Sequence, residues 1–195
     1  MKAPSLILAS ASPRRAELLR QCGVPFEIAA TGVREVDDKH LSAGETARIN
    51  AWRKARAAAQ KHPDAVVLGV DTVVAMGVAL FGKPSTLKEA EQILLTLQGK
   101  THRVLTAVCL LHLRARRQRI FFEETHVTFR PLTREQIRCY HALVNPLDKA
   151  GAYGIQEKGE MLVEAISGSF TNVIGLPLAR LAEELPAFGV PWGKD

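Results

Sequence analysis

Residues 6–19 read LILASASPRRAELL, and this stretch decides how the rest of the chain is arranged. Leu6-Ile7-Leu8-Ala9 is a short apolar run of the kind that forms a buried strand. Ser10-Ala11-Ser12 breaks it. Pro13 then suits the first position of a helix, with Ser12 as its N-cap, and Leu18 and Leu19 begin a buried face. The reading is strand, tight turn, helix, with Arg14 and Arg15 in the first helical turn. That end of a helix already presents free N–H groups and partial positive charge, so two cations there are locally unfavourable. An anion bound at the turn by amides, hydroxyls and guanidinium groups reconciles them; the alternative is a solvated helix start with both arginines in water.

Outward from this segment, Gly23 is a C-cap and Val24–Ala29 reads as a strand. Residues 31–43 are polar and aperiodic, a loop carrying Glu35, Asp37 and Asp38. Ser42-Ala43-Gly44-Glu45 has capping-box spacing and opens a helix to about Lys61, with Arg48, Arg53, Arg56 and Lys61 exposed and Lys54 near its middle. Ala65–Val70 is an apolar strand ending at Asp71-Thr72, and a carboxylate there is costly to bury unless paired or metal-bound. Val73–Met76 and Val78–Phe81 flank a turn at Gly77, and Gly82-Lys83-Pro84 follows. Thr86–Glu89 is a second capping box, for a helix that stops at Gly99. Arg103–Leu113 and Arg119–Arg130 read as an antiparallel pair joined by a basic tip. Thr133–Gln136 caps a helix to about Leu143. Residues 145–156, NPLDKAGAYGIQ, are Gly-rich and carry Asp148, Lys149 and Gln156, so they read as a functional loop. Met161–Ile166 is a short strand, Ser167–Gly175 a turn-rich loop, and Pro177 starts a last helix ending near Leu185. This order argues an α/β fold with a mixed, curved sheet flanked by helices. With no repeat and no long linker, residues 1–195 read as one domain, two lobes sharing a core with a central cleft.

Composition narrows the class. Hydrophobic residues make up 47% and charged ones 24%, ordinary for a globular protein, and no apolar stretch is long enough for a membrane span. The N-terminus mimics a signal peptide only loosely and reads as the first strand of the mature protein. Cys22, Cys109 and Cys139 suggest neither a disulfide framework nor a zinc site, which fits the cytoplasm. The net charge of +6 invites a nucleic-acid reading, yet the densest run, Arg114–Arg119, has no aromatic interleaving. A polyphosphate substrate accounts for the charge equally well.

The polar residues at strand ends and in Gly-rich loops are Ser10, Ser12, Arg14, Arg15, Glu35, Lys54, Asp71, Lys83, Asp148, Lys149 and Gln156. They offer cations for phosphate oxygens and carboxylates for a hard cation, with no Ser-His-Asp or Cys-His pattern. There is no GxxxxGK[ST] and no GxGxxG. Hydrolysis of a phosphoanhydride needs such a metal, such cations and a carboxylate to take a proton from water.

Five segments, Ser10–Leu19, Gly69–Thr72, Gly82–Pro84, Asp148–Gln156 and Val173–Pro177, resemble in order the motifs of the Maf family of nucleoside triphosphate pyrophosphatases and cover nearly the whole chain. The resemblance implies an inosine-triphosphatase-like (Maf/Ham1) fold, homodimers, and divalent-metal-dependent (Mg²⁺ or Mn²⁺) cleavage of a triphosphate to monophosphate and pyrophosphate. By motif, Asp71 is the proton acceptor and Glu35 and Asp71 hold the metal. Ser10, Ser12, Arg15, Lys54, Lys83 and Lys149 bind phosphate, as does Arg14. Arg14, Thr72 and Gln156 are the positions at which subgroups differ. Their combination resembles the dTTP/UTP pyrophosphatase subgroup, which implies hydrolysis of dTTP, UTP and modified pyrimidine triphosphates and removal of non-canonical nucleotides. The amide of Gln156 has both a donor and an acceptor for a uracil or thymine edge. Val70, where many members have Ala, and Asn50-Ala51-Trp52 before Lys54 depart from the pattern. The rival readings are a 7-methyl-GTP-type pyrophosphatase of the same family and a non-catalytic nucleotide-binding regulator of cell division. A nucleic-acid binder ranks below both.

Overall fold

A computed structural model of the chain describes residues 3–36, 38 and 40–193; Asp37, of the acidic loop, lies outside them. Strands β1 (Leu6–Leu8), β2 (Glu27–Ile28), β3 (Val66–Met76), β4 (Ala79–Phe81), β5 (Thr101–His112), β6 (Arg117–Phe129) and β7 (Val163–Ser167) form one mixed sheet ordered β2-β1-β3-β5-β6-β7, with β4 also on β3. β1 runs parallel to β2 and β3, and the remaining pairs are antiparallel. The helices are α1 (Pro13–Gln21), α2 (Ala43–Ala59), α3 (Leu87–Leu97), α4 (Arg134–Leu143), α5 (Phe170–Ile174) and α6 (Leu178–Glu184).

Two of the three expected capping boxes form as their spacing predicts. Ser42 and Glu45 close a reciprocal box, as do Thr133 and Gln136. Thr86 accepts from the amide of Glu89, whose own carboxylate takes the amide of Ser85. Ser12 is the N-cap of α1, but its side chain makes no cap hydrogen bond.

Three expectations are corrected. The strand expected over Val24–Ala29 is only two residues long. The loop expected over Ser167–Gly175 contains α5, whose cap Ser169 accepts from the amide of Asn172. Most consequentially, β3 does not end at Asp71. β5 pairs with it without interruption from Val66↔His112 to Ala75↔Arg103, so the ladder on that side carries the chain straight through the carboxylate.

The other edge of β3 is what makes room for a site. β1 accompanies β3 only as far as Leu68, and β4 joins only from Val74. Between them, among the described residues, residues 69–73 have no strand partner on that edge. The pleat then divides the side chains. Val66, Leu68 and Val70 face a core with Leu6, Leu8, Leu18, Leu19 and Leu181. Val67 and Val73, of the same parity as Asp71, face α2 with Ile7, Ala51 and Ala55. A third core joins the far end of β3 and β5 to α3 and α4 through Val74, Val104, Leu94, Ile137 and Tyr140.

α2 comes close to the sheet because its inner face is built of alanine: Ala47, Ala51, Ala55 and Ala59 are fully buried. Opposite them stands Gly69, where a Cβ would lie 2.2 Å from the Ala51 carbonyl oxygen and 2.7 Å from both Ala55 N and Cβ. These are helix backbone and a methyl group with no freedom to turn aside, so Gly69→Ala has to push α2 outward. We expect it to cost about 3 kcal/mol, measured by urea denaturation. Turnover should fall with it, because α2 carries Lys54. An unchanged midpoint would contradict the close seating of the helix.

Candidate functional site

At the gap in β3 a cleft of about 760 Å³ opens. Every site residue expected from the sequence lines it: Ser10, Ser12, Arg14, Arg15, Glu35, Lys54, Asp71, Thr72, Lys83, Lys149 and Gln156, together with Asp148. Six segments deliver them, namely the β1–α1 turn, the loop before α2, α2 itself, the middle of β3, the turn after β4 and the loop after α4.

At its floor, Asp71 is 4% exposed and projects from β3 toward α2. Lys54, on the facing side of α2, places Nζ 2.6 Å from Asp71 Oδ1 and 2.6 Å from Glu35 Oε1. One ammonium therefore joins two carboxylates from different segments. Burial pushes the Asp71 pKa up, against the pull of Lys54 and Arg15, and the nearby Glu35 charge adds to the rise. Burial also acts to raise Glu35, but the hydrogen bond and charge of Lys54, with Lys83 and Arg15 beyond, outweigh it and hold Glu35 low. The two acids are thus driven apart in proton affinity, with Asp71 the better proton acceptor.

Asn50, one turn before Lys54 and 3% exposed, fastens this arrangement. Its Oδ1 accepts from the Val36 amide at 2.7 Å, and its Nδ2 donates to the Val36 carbonyl at 3.2 Å and to Asp71 Oδ2 at 3.5 Å. The segment holding Glu35 is tied in this way to the helix holding Lys54. The sequence shows Asn50 only as a polar residue on an alanine-rich face, and its partners are distant in the chain.

Arg15 occupies the gap itself. Nε donates to the Gly175 carbonyl at 2.9 Å, Nη1 to Ser10 Oγ at 2.9 Å and the Val70 carbonyl at 3.2 Å, and Nη2 to Thr72 Oγ1 at 2.9 Å. A guanidinium has five N–H groups, so this set leaves one for a ligand. Thr72 is equally committed. Thr106 Oγ1 donates to the Asn172 carbonyl and lies 3.0 Å from Thr72 Oγ1, so the Thr72 hydroxyl gives its proton to Thr106 and receives Arg15. The two cations at the start of α1 therefore have protein partners of their own, an explanation that neither reading of the turn contained.

Arg14 turns the other way, donating to Asp148 Oδ2 at 3.0 Å and standing 3.9 Å from Glu157 Oε1. Lys149 is 4% exposed, with Nζ 2.8 Å from Asp148 Oδ1, 3.1 Å from Glu157 Oε2 and 2.8 Å from the Asn145 carbonyl. Burial works against the charge of Asp148, but the hydrogen bonds of Lys149 and Arg14 prevail and keep its pKa low. Glu157 escaped the sequence reading because it lies one residue past the motif. Lys83 and Gln156 are exposed and make no hydrogen bond or ion pair among the described residues. They are the cation and the amide most available to a ligand.

The oxygen donors suit a hard divalent cation. Among the described residues no three His, Cys, Asp or Glu side chains gather to enclose a metal. What the cleft offers is Glu35 and Asp71, already bridged by a positive group, and Mg²⁺ is commonly held by one or two carboxylates with waters and substrate phosphates.

The chain is similar to relatives that span nearly its full length. It is 48% identical over 189 residues to a dTTP/UTP pyrophosphatase of Symbiobacterium thermophilum, covering 95% of each chain. It is 45% identical over 186 residues to a dTTP/UTP pyrophosphatase of Bacillus anthracis, covering 95% of this chain and 96% of that one. Among solved structures, a HAM1 protein from Coxiella burnetii matches 65% of this chain and 73% of its own at 20% identity and a TM-score of 0.40, a likeness too slight to weigh on the fold. The family model described as Maf-like protein matches residues 5–188, and with relatives this similar over this length the chain belongs to the Maf family.

Proposed function

We propose that this chain is a nucleoside triphosphate pyrophosphatase that hydrolyses dTTP and UTP, and modified pyrimidine triphosphates, to the monophosphate and pyrophosphate. The observation that carries the reading is the floor of the cleft, where two carboxylates of opposed proton affinity share one ammonium and cations stand on the walls. The names of the relatives support the same chemistry.

In this mechanism the triphosphate lies along the cleft with its oxygens toward Lys83, Arg14 and the remaining N–H of Arg15. Ser10 and Ser12 line the turn beside them. Glu35 and Asp71 would hold a divalent cation, which would supply neutralisation of the phosphate charge. Asp71, with its raised proton affinity, takes the proton of a water directed at the α-phosphorus. Lys54 keeps Glu35 ionised and Asp71 oriented. Lys149, held by three oxygens, keeps Asp148 charged for Arg14, and Gln156 reads the pyrimidine edge. Arg14, Thr72 and Gln156 set the preference in this account, Thr72 by fixing Arg15.

We also propose a homodimer in the cytoplasm, acting as one unit of two lobes across residues 1–195. No helix among the described residues is long and apolar enough to cross a membrane. The test is a panel of canonical and modified triphosphates with Mg²⁺ or Mn²⁺, with the products identified. Turnover of dTTP and UTP to monophosphate and pyrophosphate supports the reading. Preference for 7-methyl-GTP overturns the pyrimidine assignment, and tight binding without turnover favours a non-catalytic regulator.

A further inference from the structure

The loop that carries Asp148, Lys149 and Gln156 into the cleft is held by contacts with β3, β5, β6 and α4. Its centre is residues 150–154. Gly151 has φ 73° and is seated on Val74, where a Cβ would come within 2.9 Å of a Val74 methyl group. Ala152 is buried at φ 62°, a left-handed conformation unfavourable for an L-residue, and such strain persists only where the surroundings impose it.

The surroundings that impose it are visible. The Tyr153 hydroxyl lies 2.9 Å from Nε2 of His102 on β5, and the Tyr153 ring meets Phe129 edge-to-face at 4.8 Å. His102 is 1% exposed, and its Nδ1 has no hydrogen-bond partner among the described residues. Burial pulls its pKa down to about 4, so the ring is neutral at physiological pH. The next residue is held as well: Gly154 N donates to the Tyr140 hydroxyl at 3.0 Å. The Lys149 side chain lies on Gly154 so closely that a Cβ there would be 2.7 Å from Lys149 Cε. A buried imidazole left half-satisfied is a poor choice for stability alone.

We propose that His102, acting through the Tyr153 hydroxyl, is a positioning residue for the substrate loop and fixes the placement of Lys149 and Gln156. This rests on the reading of Gln156 as a substrate contact and of Lys149 as the group that holds Asp148 for Arg14. Contacts made equally to bound substrate and transition state appear in KM, while the proton transfer at Asp71 is untouched.

The test compares Tyr153→Phe, His102→Phe and the double variant in steady-state hydrolysis of dTTP and UTP, with thermal melts alongside. Tyr153→Phe keeps the ring on Phe129 and removes only the hydroxyl. We expect KM to rise about tenfold in each single variant, with kcat within about twofold. The double variant should be no worse than the worse single one, since both remove the same bond. A merely structural pair would lower the melting temperature and leave KM alone; that result overturns the proposal, as does a KM effect that multiplies in the double variant. If His102→Phe does not fold, the KM of Tyr153→Phe decides. Wild-type protein that turns over no triphosphate would bring down the functional reading and this inference with it, whereas normal turnover with unchanged KM in Tyr153→Phe removes the inference alone.

Discussion

Asp71→Asn is expected to lower kcat for dTTP about a thousandfold while leaving KM within about threefold of wild type. Asparagine fills the same volume and its amide oxygen can still accept from Lys54, so the floor of the cleft keeps its shape. What it lacks is a carboxylate oxygen basic enough to take the proton from water. The fold should survive, because β5 pairs with β3 on both sides of this position. Calorimetric binding of a non-hydrolysable triphosphate should remain near the wild-type affinity. Near-normal turnover would remove Asp71 from the role of proton acceptor, and lost binding would leave it only the role of holding the metal and substrate.

Arg15→Met is expected to act first on stability. The Gly175 and Val70 carbonyls and the hydroxyls of Ser10 and Thr72 would all lose their donor. A buried acceptor left unpaired costs about 1–3 kcal/mol, so a loss of about 4 kcal/mol is expected once neighbours relax. Against the ~5–15 kcal/mol typical of a domain, that is a large fraction. Arg15→Lys keeps the charge but cannot reproduce the planar fork, and should recover only about half of the loss. Urea denaturation with and without a triphosphate analogue separates two roles. If Arg15 served phosphate alone, both variants would unfold at the wild-type midpoint without ligand.

How much of this was legible in the sequence varies with the range of the interaction. The strand, turn and helix of residues 6–21 follow from an apolar triplet, a Ser-Pro boundary and two leucines, all local signals. The capping pairs at Ser42/Glu45 and Thr133/Gln136 were readable for the same reason. The interior position of Asp71 was not. A carboxylate after five apolar residues looks like a strand end, and only the register with β5 shows that the ladder continues. The partners of Arg15 lie up to 160 residues away, so no spacing rule could reveal that four of its five N–H groups are taken inside the protein. Asn50 and Glu157 gain meaning only from Val36, Asp71 and Lys149, which the fold brings to them. The short α5 had a signal, Ser169 before an apolar turn closed by Gly175, but five residues are too few for periodicity to register.

The central claim is that this cleft directs water to the α-phosphorus of a pyrimidine triphosphate. Hydrolysis of dTTP in water labelled with heavy oxygen, followed by mass spectrometry of both products, tests it most directly. The account predicts the label in the monophosphate and unlabelled pyrophosphate. Label in the pyrophosphate, or release of inorganic phosphate and a diphosphate, would place the attack at another phosphorus and contradict the assignment of Asp71 and its neighbours.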